Sequence, residues 1–286
     1  MWKNNRRCIP IKLAFSSNGF KKYNILETID ILAEIGYDGI EILQDIPHAF
    51  PPDTTEEKLI EIQQWLDYRQ IEISNMNAFM TYGYIDNWRP SFVESEAGER
   101  RRRIDHTHSC IDMAARLGAK TLSTQPGGPM QGVDSAWANK VFIEAMEELA
   151  DHAEKAGVTI LVEPEPDLTI ETSDQFIEFK KAVPSDAIAL NFDIGHFFCV
   201  NEDPVKLVDK LLPYTKHYHL EDIAASRVHE HMIPGTGSID IPGVLKKIKD
   251  TGYDGFITIE LYPYQTTAIE TAKQSYDYVR GILNEL

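Results

Sequence analysis

The chain has no run of about 20 apolar residues, the length a helix needs to cross a bilayer, so no segment reads as transmembrane. Cysteine is scarce as well. Cys8, Cys110 and Cys199 are odd in number and far apart, which suggests no disulfide framework and suits a reducing, cytoplasmic setting. Basic residues are outnumbered, 28 against 45 acidic, leaving a formal charge of −17. Nucleic acid repels such a chain, because tight binding needs phosphates to be neutralised; the acidity is read as a solubility feature. Arg6-Arg7 precede a short apolar stretch that Lys12 breaks. That makes a poor export signal, and residues 11–15 read better as a first buried strand.

What is present is ordinary globular material. With 43% hydrophobic and 26% charged residues among 286, the chain can bury a large core. A single domain over 1–286 fits, since α/β barrels of about 250 residues form one unit. One local pattern recurs: an amphipathic helix ends at glycine and a β-branched strand follows. It runs through Gly36, Gly118, Gly157 and Gly252. Glycine just past a helix accepts the left-handed conformation that stops it. Read this way, strands fall near 11–15, 39–43, 71–75, 120–124, 158–163, 188–193, 215–220 and 255–260. Helices fall near 25–35, 55–69, 99–117, 136–156, 173–182, 204–212, 241–250 and 267–284. Eight strands, each followed by a helix, make a (β/α)8 TIM barrel in the α/β class. The rival open sheet wants a glycine-rich phosphate turn after its first strand, and Ser16-Ser17-Asn18-Gly19 lacks that spacing. The irregular stretch 77–97, with Tyr82, Tyr84, Trp88 and Pro90, is either a lid or a surface flap.

Barrel enzymes carry their chemistry at the C-terminal ends of strands. Four consecutive strands end there in Glu163, Asp193, His219 and Glu260. A carboxylate following buried apolar residues is costly unless it is paired or bound to a cation. A salt-bridge ring without metal would need basic partners, and few stand at these strand ends. Three carboxylates and one imidazole form a hard site suited to one divalent ion, Mn2+ foremost, with Mg2+, Co2+ or Zn2+ as alternatives.

The motifs Val162-Glu163-Pro164, Asn191-Phe192-Asp193-Ile194-Gly195-His196, His217-Tyr218-His219-Leu220-Glu221-Asp222 and Pro234-Gly235-Thr236-Gly237, followed by Ile259-Glu260, stand in this order. In this the chain resembles the xylose isomerase-like TIM barrels, the sugar phosphate isomerase/epimerase superfamily. The resemblance implies metal binding through Glu163, Asp193, His219 and Glu260, with Glu163 and Glu260 also moving protons. It implies a substrate or metal-supporting role for His196. Arg227 lies roughly where epimerases of the group carry a substrate-binding arginine, although the intervening residues match poorly. From position alone, Glu165, His231, Asn77 and Gln125 are further substrate-binding candidates. His229, His48 and Glu41 are weaker ones, Glu41 serving equally as a structural acid within the barrel.

The expected reaction is removal of the proton beside a carbonyl, with the ion stabilising the enediolate. Returning the proton to the opposite face or the adjacent carbon gives an epimerase or isomerase of a small sugar-like substrate. Losing a β-hydroxyl gives a dehydratase of the inosose or dehydroshikimate type. Two other readings are a nuclease of the type IV apurinic endonuclease kind and a silent sugar-binding protein. The charge of −17 and the small number of further histidine ligands weigh against the nuclease, and the complete ligand set weighs against the silent protein. Homo-oligomerisation is left open, as is whether the substrate is phosphorylated.

Overall fold

Alternating apolar residues on short strands, each joined to an amphipathic helix, close on themselves in the computed structural model, which describes residues 11–80 and 88–286. The strands are β1 (Lys12–Ser16), β2 (Gly39–Leu43), β3 (Glu72–Asn77), β4 (Thr121–Thr124), β5 (Thr159–Val162), β6 (Ile188–Asp193), β7 (Thr215–Leu220) and β8 (Phe256–Ile259). All neighbours are parallel and β8 pairs with β1, so the barrel is closed. The helices are α1 (Ile25–Ile35), α2 (Glu56–Arg69), α3 (Ala97–Leu117), α4 (Ser135–Ala156), α5 (Ser173–Ala182), α6 (Ile194–Cys199), α7 (Pro204–Leu211), α8 (Ile241–Asp250) and α9 (Ala268–Glu285). The expected (β/α)8 barrel is therefore found. Among the described residues no helix is long and apolar enough to cross a membrane.

The strands' two faces differ sharply. Phe15, Ile40, Ile42, Met76, Leu122, Val162, Phe192, Tyr218 and Ile257 join one apolar cluster with the surrounding helices. The alternate positions point into the barrel, and many there are polar: Ser16, Glu41, Asn75, Ser123, Asn191, His217 and Thr258 are all buried. TIM barrels are usually filled by branched apolar side chains. Here the inner layer nearest the strand ends is a hydrogen-bonded network, and its contacts span the barrel from β2 to β7.

Three details depart from the expected elements. β3 extends to Asn77 and so carries that residue onto the rim. β5 stops at Val162, leaving Glu163 and Glu165 in the segment just beyond it. The short helix α6 was not foreseen; it starts directly at the end of β6 because Asp193 Oδ1 accepts from the His196 backbone N–H at 2.7 Å, a helix cap. The pairing register also shifts between Leu190 and Asn191 on β6 and between Ile40 and Glu41 on β2. Such irregularities re-aim side chains, and both sit one step before residues of the site. Residues 6–10, with Cys8, and Tyr82 and Tyr84 of the expected lid lie outside the described residues.

Candidate metal centre and active site

His219 organises the rim. Its Nε2 stands 2.7 Å from Glu41 Oε2, and its Nδ1 faces three other carboxylates: Glu163 Oε1 at 3.0 Å, Glu260 Oε2 at 3.8 Å and Asp193 Oδ2 at 3.9 Å. The ligand atoms of Glu163, Asp193, His219 and Glu260 all lie within 4.8 Å of one another, and all four residues are buried. Nδ1 is thus the nitrogen turned toward the shared space. Glu41 holds the other, as carboxylates do behind metal-binding histidines. Glu41 is itself fixed by Ser16 Oγ and Asn75 Nδ2, each at 2.7 Å, and by Asn77 Nδ2 at 3.2 Å.

Each glutamate has one oxygen toward His219 and the other anchored by asparagine. Asn191 Nδ2 donates to Glu163 Oε2 at 2.8 Å, and Asn18 Nδ2 donates to Glu260 Oε1 at 2.8 Å. The sequence reading missed both anchors. Asn191 had a signal, since it shares a strand face with Asp193 two residues on. Asn18 had none beyond following β1.

The electrostatics favour a cation. Burial alone would lower the His219 pKa, but the charges of Glu41, Glu163 and Glu260 carry it well above the ordinary value. Burial raises the carboxyl of Glu163, and that of Glu260 well above its usual range, against the pull of His219. Asp193 stays low because neighbouring imidazoles, His196 first, outweigh its burial. Among the described residues Asp193 Oδ2 has no hydrogen-bond partner, an expensive state for a buried carboxylate. A divalent ion satisfies that oxygen and the converging charges together, so the donor set fits one.

Beside this cluster lies a cavity of about 270 Å³. Glu163, Glu260, Glu165, His196, His229 and His231 form its polar side, with Asn18, Asn77 and Lys21; Leu43, Phe79, Trp88 and Tyr262 form the rest. Asn77, Glu165, His196 and His231 thus sit where substrate contact was expected. Glu165 faces the cavity although β5 ends before it. Burial first, then the charges of Glu163, Glu260 and Asp193, push its carboxyl well above the usual range.

Gln125 and Arg227 are not among the described lining residues. Gln125 is fully buried, and neither of its amide atoms has a partner among the described residues. Arg227 takes a left-handed backbone, stacks its guanidinium 3.8 Å over the Phe198 ring and donates to the Phe198 carbonyl. His48 is held by the Tyr23 carbonyl at 3.2 Å, also outside the described lining. Glu221 packs under Gly195, where a Cβ would meet its Oε1 at 1.7 Å. Burial and the Asp193 charge keep the Glu221 carboxyl well above its usual range.

The loop after β7 is built on Asp222. Its carboxylate accepts the backbone N–H groups of Ile223, Gly235, Gly237 and Ile239 at 2.8–3.0 Å. The Asp222 and Met232 backbones bond reciprocally. The Pro-Gly-Thr-Gly turn is therefore a scaffold that folds His229 and His231 back over the cavity. The small number of further histidine ligands, offered above against a nuclease, does not hold here: His196, His229 and His231 place their ring nitrogens within 4.8 Å of one another.

A family model, the xylose isomerase-like TIM barrel, matches residues 29–282. The chain belongs to the xylose isomerase-like TIM barrel family. Within it, the chain is 27% identical to the fructoselysine 3-epimerase of Shigella flexneri, over 96% of this chain and 99% of that one. It is 23% identical to an inosose dehydratase of Lacticaseibacillus casei, over 92% and 91% of the two chains. Among solved structures, the IOLI protein with a bound zinc atom superposes with a TM-score of 0.77 at 23% identity, covering 95% of this chain and 99% of that one. The family expected from the strand-end motifs is the family found.

Proposed function

We propose that the chain is a divalent-metal-dependent isomerase or epimerase of a sugar, sugar phosphate or related polyhydroxy carbonyl compound. The supporting observation is the pairing of Glu163 and Glu260. Both border the cavity, both border the ligand cluster, and each has its second oxygen fixed by an asparagine. A bound ion, Mn2+ for choice on this donor set, supplies Lewis-acid polarisation of a carbonyl and its neighbouring hydroxyl.

The chain's own residues do the rest. One glutamate takes the proton from the carbon beside the carbonyl, and the other side of the site returns one. Delivery from the other strand end inverts the carbon, which is epimerisation. Asn18 and Asn191 hold the two carboxyls in place, and the aromatic side of the cavity offers the sugar an apolar face. The named relatives that are epimerases and dehydratases support this shared first step. A dehydratase is the second reading, favoured by Glu165, a carboxyl on the cavity wall placed to protonate a departing hydroxyl. No nucleic-acid partner is proposed, given the charge of −17. A cytoplasmic setting fits Cys110 and Cys199, neither of which is in a disulfide.

Glu163→Gln and Glu260→Gln test the proposal. Each keeps a carbonyl ligand and removes the base, so turnover should fall by about 10²–10⁴-fold at measured, saturating metal occupancy. Near-normal rates in both fully loaded variants would refute the two-glutamate mechanism.

A further inference from the structure

β1 and β8 stand at opposite ends of the chain, so no βα connection joins them and only non-covalent contacts hold their rim segments together. Their backbone pairing runs from Lys12 and Phe256 to Phe15 and Ile259 and stops there, one residue before Glu260. The Glu260 backbone N–H turns instead to the Leu220 carbonyl of β7, at 3.2 Å. On the β1 side the Glu260 carboxyl is held through Asn18, which belongs to the short 3-10 helix Ser17–Phe20 that follows β1. Whatever fixes that short helix against the end of β8 therefore fixes Glu260 Oε1.

Gln265 spans this seam. Its Oε1 accepts the Lys21 backbone N–H at 2.7 Å, and its Nε2 donates to the Asn18 carbonyl at 2.6 Å and the Tyr262 carbonyl at 2.8 Å. These partners settle which end of the amide is which, since a flipped amide would set its oxygen against two carbonyls and its NH2 against an N–H. Both ends of the side chain are thus engaged with main-chain groups, on the β1 side across 244 and 247 residues of sequence. Gly19 lets the two segments come this close, because a Cβ there would stand 3.2 Å from the Leu261 carbonyl oxygen. Asn18, Lys21 and Tyr262, the residues clamped, all line the cavity, whereas Gln265 is not among the described lining residues.

We propose that Gln265 is a positioning residue for the metal centre and for proton transfer at Glu260, acting through Asn18. Gln265 Nε2 holds the Asn18 carbonyl, the held segment aims Asn18 Nδ2, and Nδ2 pins Glu260 Oε1. With that oxygen pinned, Oε2 stays turned toward His219 Nδ1, at 3.8 Å. Partners behind a ligating carboxylate orient it in this way. The proposal rests on the reading of Glu260 given above, as a metal-binding residue that also moves a proton.

Zinc affinity reads the position of Glu260 without turnover. Zn2+ is titrated into chelator-stripped full-length protein against a competing chelating dye. The proteins are wild type, Gln265→Met, Gln265→Ala, Asn18→Ala, the Gln265→Met/Asn18→Ala double variant and Glu260→Ala, each with circular dichroism and a melting temperature beside it. Methionine keeps the length of glutamine and makes none of its amide bonds. Partners behind metal ligands are worth about 10–100-fold in affinity, so Asn18→Ala should weaken zinc about 10-fold or more and Gln265→Met, one contact further out, about 3-fold or more. In the Asn18→Ala background Gln265→Met should change the dissociation constant by less than about twofold, the margin within which independent sites add. A clamp that only stabilised the fold would lower the melting temperature and leave zinc affinity alone. Folded Gln265→Met and Gln265→Ala proteins with wild-type zinc affinity would overturn the proposal, as would a loss from Gln265→Met equally large with and without Asn18. Unchanged affinity in Glu260→Ala would remove Glu260 from the metal centre, and the functional reading would then fail together with the clamp.

Discussion

Replacing Glu41 by glutamine should weaken metal binding although Glu41 is not among the described residues lining the cavity and stands behind the Glu163, Asp193, His219 and Glu260 cluster. Glutamine can point its carbonyl oxygen at His219 Nε2 and Asn75 Nδ2, where Glu41 Oε2 now accepts both at 2.7 Å. Its amide then faces Ser16 Oγ, which can rotate to accept, and Asn77 Nδ2, which keeps Glu260 Oε1 at 3.4 Å. The packing survives and the negative charge is lost. Removing such a partner behind a metal-binding histidine typically costs 10–100-fold in affinity, about 1.4–2.7 kcal/mol. An opposing effect is built in. The Glu41 charge helps raise the His219 pKa, so without it protons compete less for Nδ1. The loss should therefore be smaller at pH 6.5 and larger at pH 8.5, where proton competition fades. Isothermal titration of Mn2+ or Zn2+ into stripped wild type and Glu41→Gln at both pH values measures this. Equal dissociation constants for the two proteins at both pH values would refute the orienting role of Glu41.

Loading the metal ion should release protons at pH 7, because the surrounding carboxylates raise the His219 pKa well above its ordinary value and metal binding must free Nδ1; calorimetry in buffers of different ionisation enthalpy reads the number, and zero net release would contradict it. Asp222→Ala removes the acceptor of four backbone N–H groups, two of them buried, and should cost about 2 kcal/mol or more. Hydrogen exchange should speed up across residues 223–239; unchanged exchange there would show the loop is held by something else. His48 is held down to about 4 by burial. The unfolded chain takes up that proton near pH 6.5, so this contribution is whole above pH 6.5 and is lost as pH falls toward 4. Its ceiling is about 3 kcal/mol. Denaturant unfolding at pH 7.5 and 5 should show a flatter pH slope in His48→Gln, and an identical slope would remove His48 from the acid response.

The four proposed metal-binding residues could be picked out because Glu163, Asp193 and Glu260 follow largely apolar strand residues, and the barrel brings their strand ends to one rim with His219. The glycine-ended helices were legible for a similarly local reason: Gly118 and Gly157 do take the left-handed conformation, at φ 78° and 70°. What was not legible depends on side chains meeting across the barrel. Glu41 was weighed as a structural acid, but its partner His219 is 178 residues away. Asn18 reaches Glu260 over 242 residues. Helix α6 has only six residues and little periodicity to read. The histidine trio forms only because Asp222 folds its loop back. Arg227 was placed by the family resemblance and Gln125 by position along the chain, and neither is among the described lining residues.

The central claim is proton removal beside a carbonyl at this rim. Metal-loaded protein is incubated in D2O with a panel of ketoses, their phosphates, amino-acid-linked ketoses and inososes, the metal is removed, and proton NMR is recorded. The account predicts solvent deuterium at the carbon beside the carbonyl of at least one compound, dependent on metal and lost in the Glu163→Gln/Glu260→Gln double variant. Exchange that proceeds undiminished in that double variant at full metal occupancy, or no exchange across the panel by fully loaded wild type, would contradict it.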